Sequence, residues 1–98
     1  MYSKKVEAMK NTEEYCLVKF HKKTGKIDTT LEAVDCELLK NWAIKATPKT
    51  KESIIFHKST GEIICYISGT PNGEELYYME YGTNIETFCP GILSVINS

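Results

Sequence analysis

Residues 20–27 read Phe-His-Lys-Lys-Thr-Gly-Lys-Ile, and residues 56–63 read Phe-His-Lys-Ser-Thr-Gly-Glu-Ile. Six of the eight positions are identical and the copies lie 36 residues apart. A phrase used twice in so short a chain limits the fold more than any other feature, because it asks for the same local structure at two places. Each copy is a hairpin signal. Lys22-Lys23-Thr24-Gly25 and Lys58-Ser59-Thr60-Gly61 suit a type I turn that closes on a left-handed residue, a conformation glycine adopts without steric cost. Two hairpins are therefore expected, with Phe20 and Phe56 as core anchors.

The flanks of the first copy supply its strand and a helix. In 15–21, Cys16, Val18 and Phe20 alternate toward one face, with Lys19 and His21 on the other. A short second arm follows at 26–28. Thr29 and Glu32 then have the spacing of a capping box. Leu31, Val34, Leu38, Leu39 and Trp42 recur at helical spacing, and Pro48 disfavours helix at Thr47. Acids at the start and Lys40 and Lys45 near the end complement a helix dipole. The pattern predicts a helix over 30–46.

The second copy predicts strands at 53–58 and 62–68. Ile54, Phe56, Ile63, Cys65 and Ile67 are expected on one face, and Ile55, Ile64 and Tyr66 on the other. A Gly-Thr-Pro-Asn-Gly turn at 69–73 leads to a strand at 75–81. Thr83 and Glu86 repeat the box spacing, and Ile85, Phe88, Ile92, Leu93 and Ile96 repeat the helical stripe. A second helix is expected at 84–96, with Pro90-Gly91 forcing a kink or two short turns. The β-branched run at 92–96 also fits a strand. The chain thus divides into an N-terminal tail or short helix at 1–14, where Tyr2, Val6 and Met9 fall at i, i+4 and i+7, and one domain at 15–98. Units 15–46 and 53–96 are either a duplication or two hairpins sharing good turn chemistry.

The expected fold is α+β: a five-stranded antiparallel sheet with two main helices in the order (α)ββαβββα. That order resembles profilin-like and roadblock/longin-type domains. The resemblance implies an assembly module and no chemistry.

Composition narrows the function. All twelve basic residues are lysine, so the bidentate arginine contacts that read base edges are absent. Residues 1–51 carry a net charge of +4 and residues 52–98 a net charge of −5. No apolar run reaches the ~18 residues of a membrane span, and no secretory signal is visible, so a cytoplasmic protein without membrane contact is expected. The four cysteines, at 16, 36, 65 and 89, lack metal-ligand spacing and are expected as reduced, mostly buried apolar groups. His21 and His57 stand at equivalent outward places, and no metal or cofactor is expected. There is no phosphate loop, nucleophile elbow or paired-carboxylate signature. Cys65 and His57 are the one nucleophile–base pair within reach, and strand parity opposes them. A thiol enzyme is the least favoured reading.

Two surfaces stand out. The stretch 74–81 joins acids to aromatics, and the sheet's second face is apolar enough to need cover from a helix or a partner. Glu74, Glu75, Tyr77, Met79 and Tyr81, with Tyr66, are the candidate partner-binding residues. Lys19, Lys22, Lys23 and Lys26 cluster at the first hairpin tip and are the candidate anion site, the basis of a weaker nucleic-acid reading. The leading expectation is a small non-enzymatic module that binds a protein partner or itself.

Overall fold

The computed structural model describes residues 14–69, the backbone of 75–77, and 82–97. Its two hairpins are built alike. In the first, β1 (Tyr15–His21) turns into β2 (Ile27–Ala33), and in the second, β3 (Lys51–His57) turns into β4 (Ile63–Ser68). The His21 N–H donates to the Lys26 carbonyl at 3.0 Å, and the Gly25 N–H donates to the His21 carbonyl at 2.8 Å. The His57 N–H and Gly61 N–H do the same toward Glu62 and His57, at 2.9 and 2.8 Å. Thr24 Oγ1 and Thr60 Oγ1 each accept the backbone N–H two residues on. Gly25 and Gly61 take φ of +72° and +84°, the left-handed conformation that the phrase asks for.

The phrase carries a second instruction that its alternation does not reveal. Register slips by one residue between Lys19 and Phe20 against β2, and between Ile55 and Phe56 against β4. Asp28 and Ile64 are the extra residues, so each hairpin holds a β-bulge at the same place. A bulge reverses which face later side chains point to. Ile63 therefore joins Cys16, Val18, Phe20, Ile54 and Phe56 on one face, while Cys65 and Ile67 join Leu17 and Ile55 on the other. The expectation that Ile63, Cys65 and Ile67 share a face with Ile54 and Phe56 is corrected by this slip.

The strands form an antiparallel sheet in the order β2-β1-β3-β4, and the three-residue segment Glu75–Tyr77 hydrogen-bonds along the outer edge of β4. Residues 78–81 of the expected last strand lie outside the described residues, as does the N-terminal stretch 1–13. At the sheet's centre Val18 stands opposite Ile54, each of them two residues ahead of its copy of the repeated phrase. The two hairpins thus meet about a local two-fold axis.

The helices do not share that relation. The first, α1 (Cys36–Ala46), starts six residues later than expected. Asp35 caps it, its Oδ1 accepting the Glu37 N–H at 2.9 Å. Thr29 and Glu32 are instead in β2, because the hairpin runs on until Ala33 stands opposite Tyr15. Their capping-box spacing was a coincidence that strand pairing overrode. The helix stops at Ala46, as Pro48 predicts. Leu39 and Ala43 bury its inner side on Leu17, Ile55, Cys65 and Ile67, leaving Val34 and Leu38 exposed.

The C-terminal stripe is broken into a 3₁₀ turn (Ile85–Thr87) and α2 (Ile92–Ile96), with Gly91 between them at φ +88°. Asn84, not Thr83, caps the 3₁₀ turn. The Glu86 carboxylate ties the two pieces together, accepting the Gly91 and Leu93 N–H groups at 2.7 and 2.8 Å. Ile85 and Ile92 close the face opposite α1. Each sheet face is therefore packed by a helix of this chain, α1 on one and α2 on part of the other.

Candidate docking surface

Among the described residues, the cover on the α2 face is incomplete. A five-residue helix is too short to span the sheet, and past β1 it leaves a groove of about 550 Å³ over β2. Gly25, Ile27, Thr30 and Glu32 form one wall, and residues 88–92 with Val95 and Ile96 form the other. Ile27, Phe88 and Val95 are 43%, 42% and 75% exposed, and they make up three of the five large exposed apolar side chains among the described residues. Scattered exposed apolar residues are ordinary, but a grouped set in a concavity marks a contact site. Among the described residues, nothing pairs with the outer edge of β2.

The groove's polar features are few. Glu32 sits at its end with Oε1 2.8 Å from Lys58 Nζ. Cys89 lines it, half-buried, and burial followed by the nearby Glu86 charge pushes its thiol up. The Glu86 carboxyl is held below its usual range by the Gly91 and Leu93 N–H bonds.

The candidate anion residues do not gather at a tip. Lys19 is buried; its ammonium donates to the Ala46 carbonyl at 3.2 Å, lies 3.4 Å from Asp28, and sits 4.8 Å from the Trp42 ring centre. It closes the C-terminus of α1, where the helix dipole favours a cation. Lys22 donates to the Gly69 carbonyl at 2.9 Å. Lys23 and Lys26 are exposed. Asp28, the bulge residue of the first hairpin, is held below the usual carboxylate range by Lys51 first, then by the Thr29 hydroxyl and Lys19.

Of the partner-binding candidates, Tyr66 is half-buried against the core under α2 and pairs in register with Tyr77, while Glu75 pairs with Ser68. Glu74, Met79 and Tyr81 lie outside the described residues. The His57 ring packs against Tyr15, tilted by 40° with ring centres 5.4 Å apart. The bulge corrects the parity argument about Cys65: Cys65 stands opposite Ile55, so alternation puts it on the same face as His57. What disfavours it as a nucleophile is burial, which pushes its thiol up to about 11. Cys16 is pushed up to about 12, mainly by burial and then by the Glu32 charge.

Sequence reasoning placed Phe88 in a core stripe and passed over Ile27 and Val95. The available signal was Pro90-Gly91: a break between Phe88 and Ile92 cannot leave both on one helical face. No helix among the described residues is long and apolar enough to cross a membrane. No family model, curated protein or solved structure matches this chain.

Proposed function

We propose that the protein is a small binding module that works by contact, presenting the β2 groove to a protein partner. The grouping of Ile27, Phe88 and Val95 in one concavity carries this reading. The raised thiols of Cys16 and Cys65 support contact over thiol chemistry. The engagement of Lys19 and Lys22 within the fold weighs against an anion site. Four unpaired cysteines support a reducing, cytoplasmic setting. The pairing of Glu75–Tyr77 supports extending a fifth strand through residues 78–81, whose tyrosines would form a second contact face. The resemblance of the element order to profilin-like and roadblock/longin-type domains supports an assembly role.

The test is binding of an apolar fluorescent dye. Val95→Glu places a charge in the groove at an exposed position. It should lower dye binding several-fold while leaving the far-ultraviolet circular dichroism and the melting midpoint in place. Equal dye binding by both proteins would remove the groove as a docking surface.

A further inference from the structure

The edge of the sheet at β2 gathers the apolar surface that the described fold leaves uncovered. The Lys58 N–H donates to the Glu14 carbonyl and the Lys22 N–H to the Thr50 carbonyl, so the even-numbered residues of β1 bond toward β3 and the odd-numbered ones toward β2. Tyr15, Leu17 and Lys19 stand opposite Ala33, Leu31 and Thr29. Alternation then turns the N–H and C=O groups of Thr30 and Glu32 outward, where no described strand meets them. Ile27, Phe88 and Val95 line the groove beside this edge, and the other two large exposed apolar side chains among the described residues, Val34 and Leu38, lie along it too. Val34 directly follows β2. Leu38 is one helical turn ahead of Trp42, whose ring meets Lys19, on the flank of α1 away from Cys36 and Lys40, which lie near Cys65 of β4.

The edge is also charged so as to fit itself. Exposed Lys23 and Lys26 stand at its hairpin end, and exposed Asp35 and Glu37 at its helix end. We infer that the partner is a second copy of this chain, whose β2 adds antiparallel along β2 of the first and carries the sheet across a two-fold axis. The inference rests on the docking reading above and names the occupant of the same surface. Antiparallel pairing about a two-fold axis sets the basic end of each copy against the acidic end of the other. The register follows from the strand. Centred on Leu31, Thr30 stands opposite the second copy's Glu32 and Thr29 opposite its Ala33, so the outward N–H and C=O groups pair and the Asp28 bulge lies outside the joint. Centred on Thr30, Asp28 would face the second copy's Glu32, a like-charge pair. In the Leu31 register no acid faces an acid, and the Glu32 charge is met by Lys58 of its own chain. The area suffices as well. The five apolar side chains are 42–75% exposed, which at roughly 200 Å² each presents on the order of 500 Å² per copy and ~1,000 Å² for a pair, where specific interfaces begin.

Sedimentation velocity of the full chain reads the pairing. The mass should rise with concentration from that of one chain toward that of two, and apolar-dye binding per chain should fall over the same range. Lys26→Glu and Glu37→Lys should each weaken the dimer at least tenfold, because each sets like charges together at both ends of the pair. The turn accepts the first change, since Glu62 holds the equivalent place in the second hairpin. An equimolar mixture of the two variants should dimerise as the parent does, because the mixed pair restores opposite charges at both ends, a rescue that a damaged fold would not give. Thr30→Pro removes an outward N–H and no bond to β1, so it should give a monomer with the parent's far-ultraviolet circular dichroism. A parent that keeps the mass of one chain up to its solubility limit would overturn the inference, as would a dimer that all three variants retain. Val95→Glu separates the two claims. If it lowers dye binding in dilute protein while the parent is monomeric at every concentration, the docking surface stands and the second copy fails. If it changes neither dye binding nor mass, the docking surface itself fails.

Discussion

Val18 and Ile54 face each other across the central strand pair, fully buried, and each lies two residues ahead of its copy of the repeated phrase. The pair sits where the two hairpins meet, so the exchange is reciprocal: Cys16 stands opposite Phe56, and Phe20 opposite Glu52. Truncating at this junction removes packing shared by both hairpins. Ile54→Ala should cost about 2–5 kcal/mol by denaturant unfolding. Val95→Ala, at an exposed position, should stay within about 0.5 kcal/mol.

The two turn glycines share a conformation but not a neighbourhood. A Cβ on Gly25 would meet nothing within 4 Å, whereas on Gly61 it would stand 2.7 Å from Asn84 Oδ1 and 2.8 Å from Leu93 Cδ1. Gly25→Ala should cost only the left-handed strain, about 1–2 kcal/mol. Gly61→Ala adds the displacement of Asn84 and Leu93, for a total of about 2–5 kcal/mol. Equal losses in paired urea titrations would show that the C-terminal segment yields freely.

The cap of α1 separates a sequence motif from its structural use. Asp35→Ala removes the acceptor for the Glu37 N–H and should cost about 1 kcal/mol. Thr29→Ala, which the capping-box spacing would make damaging to the helix, should instead leave α1 intact and cost only the hydroxyl's bond to Asp28 Oδ2, about 0.5–1 kcal/mol. Circular dichroism melts of the two variants decide between these expectations.

Two carboxylates link stability to acid. Asp28 and Glu86 titrate below their ordinary values of 3.8 and 4.5 in the folded chain. A depressed folded value means that the unfolded chain takes up protons first, so the stabilisation is present above the ordinary value and is lost as pH falls toward the folded one. The urea midpoint should therefore fall as the pH is lowered below about 4.5. Asp28→Asn and Glu86→Gln should each flatten that decline. A slope unchanged in both variants would contradict the bonding seen at these sites.

The thiols should divide by burial. At pH 8, Cys36 and Cys89 should label ahead of Cys16 and Cys65, whose thiols are pushed up to about 12 and about 11. Peptide mapping after timed labelling reads the order. Early modification of Cys65 would reopen the thiol-enzyme reading.

Local chemistry made the hairpins legible from the chain alone. The left-handed glycines, the end of α1 before Pro48 and the break at Pro90-Gly91 depend on backbone sterics within a few residues. The same holds for burial of Phe20 and Phe56, where alternation already points inward. What the tertiary structure alone decided depends on partners distant in sequence. Whether residues 27–33 are strand or helix turned on β1 having seven residues that needed pairing, a demand stronger than a capping-box spacing. Which face Cys65 and Ile67 occupy turned on one bulge residue, Ile64, whose presence shows only in the register against β3. Lys19 reads as a solvated charge until the end of α1 is brought over it. The groove belongs to the same class. Ile27 and Val95 are 68 positions apart in sequence and become one surface only because α2 is too short to cover the strand beside it.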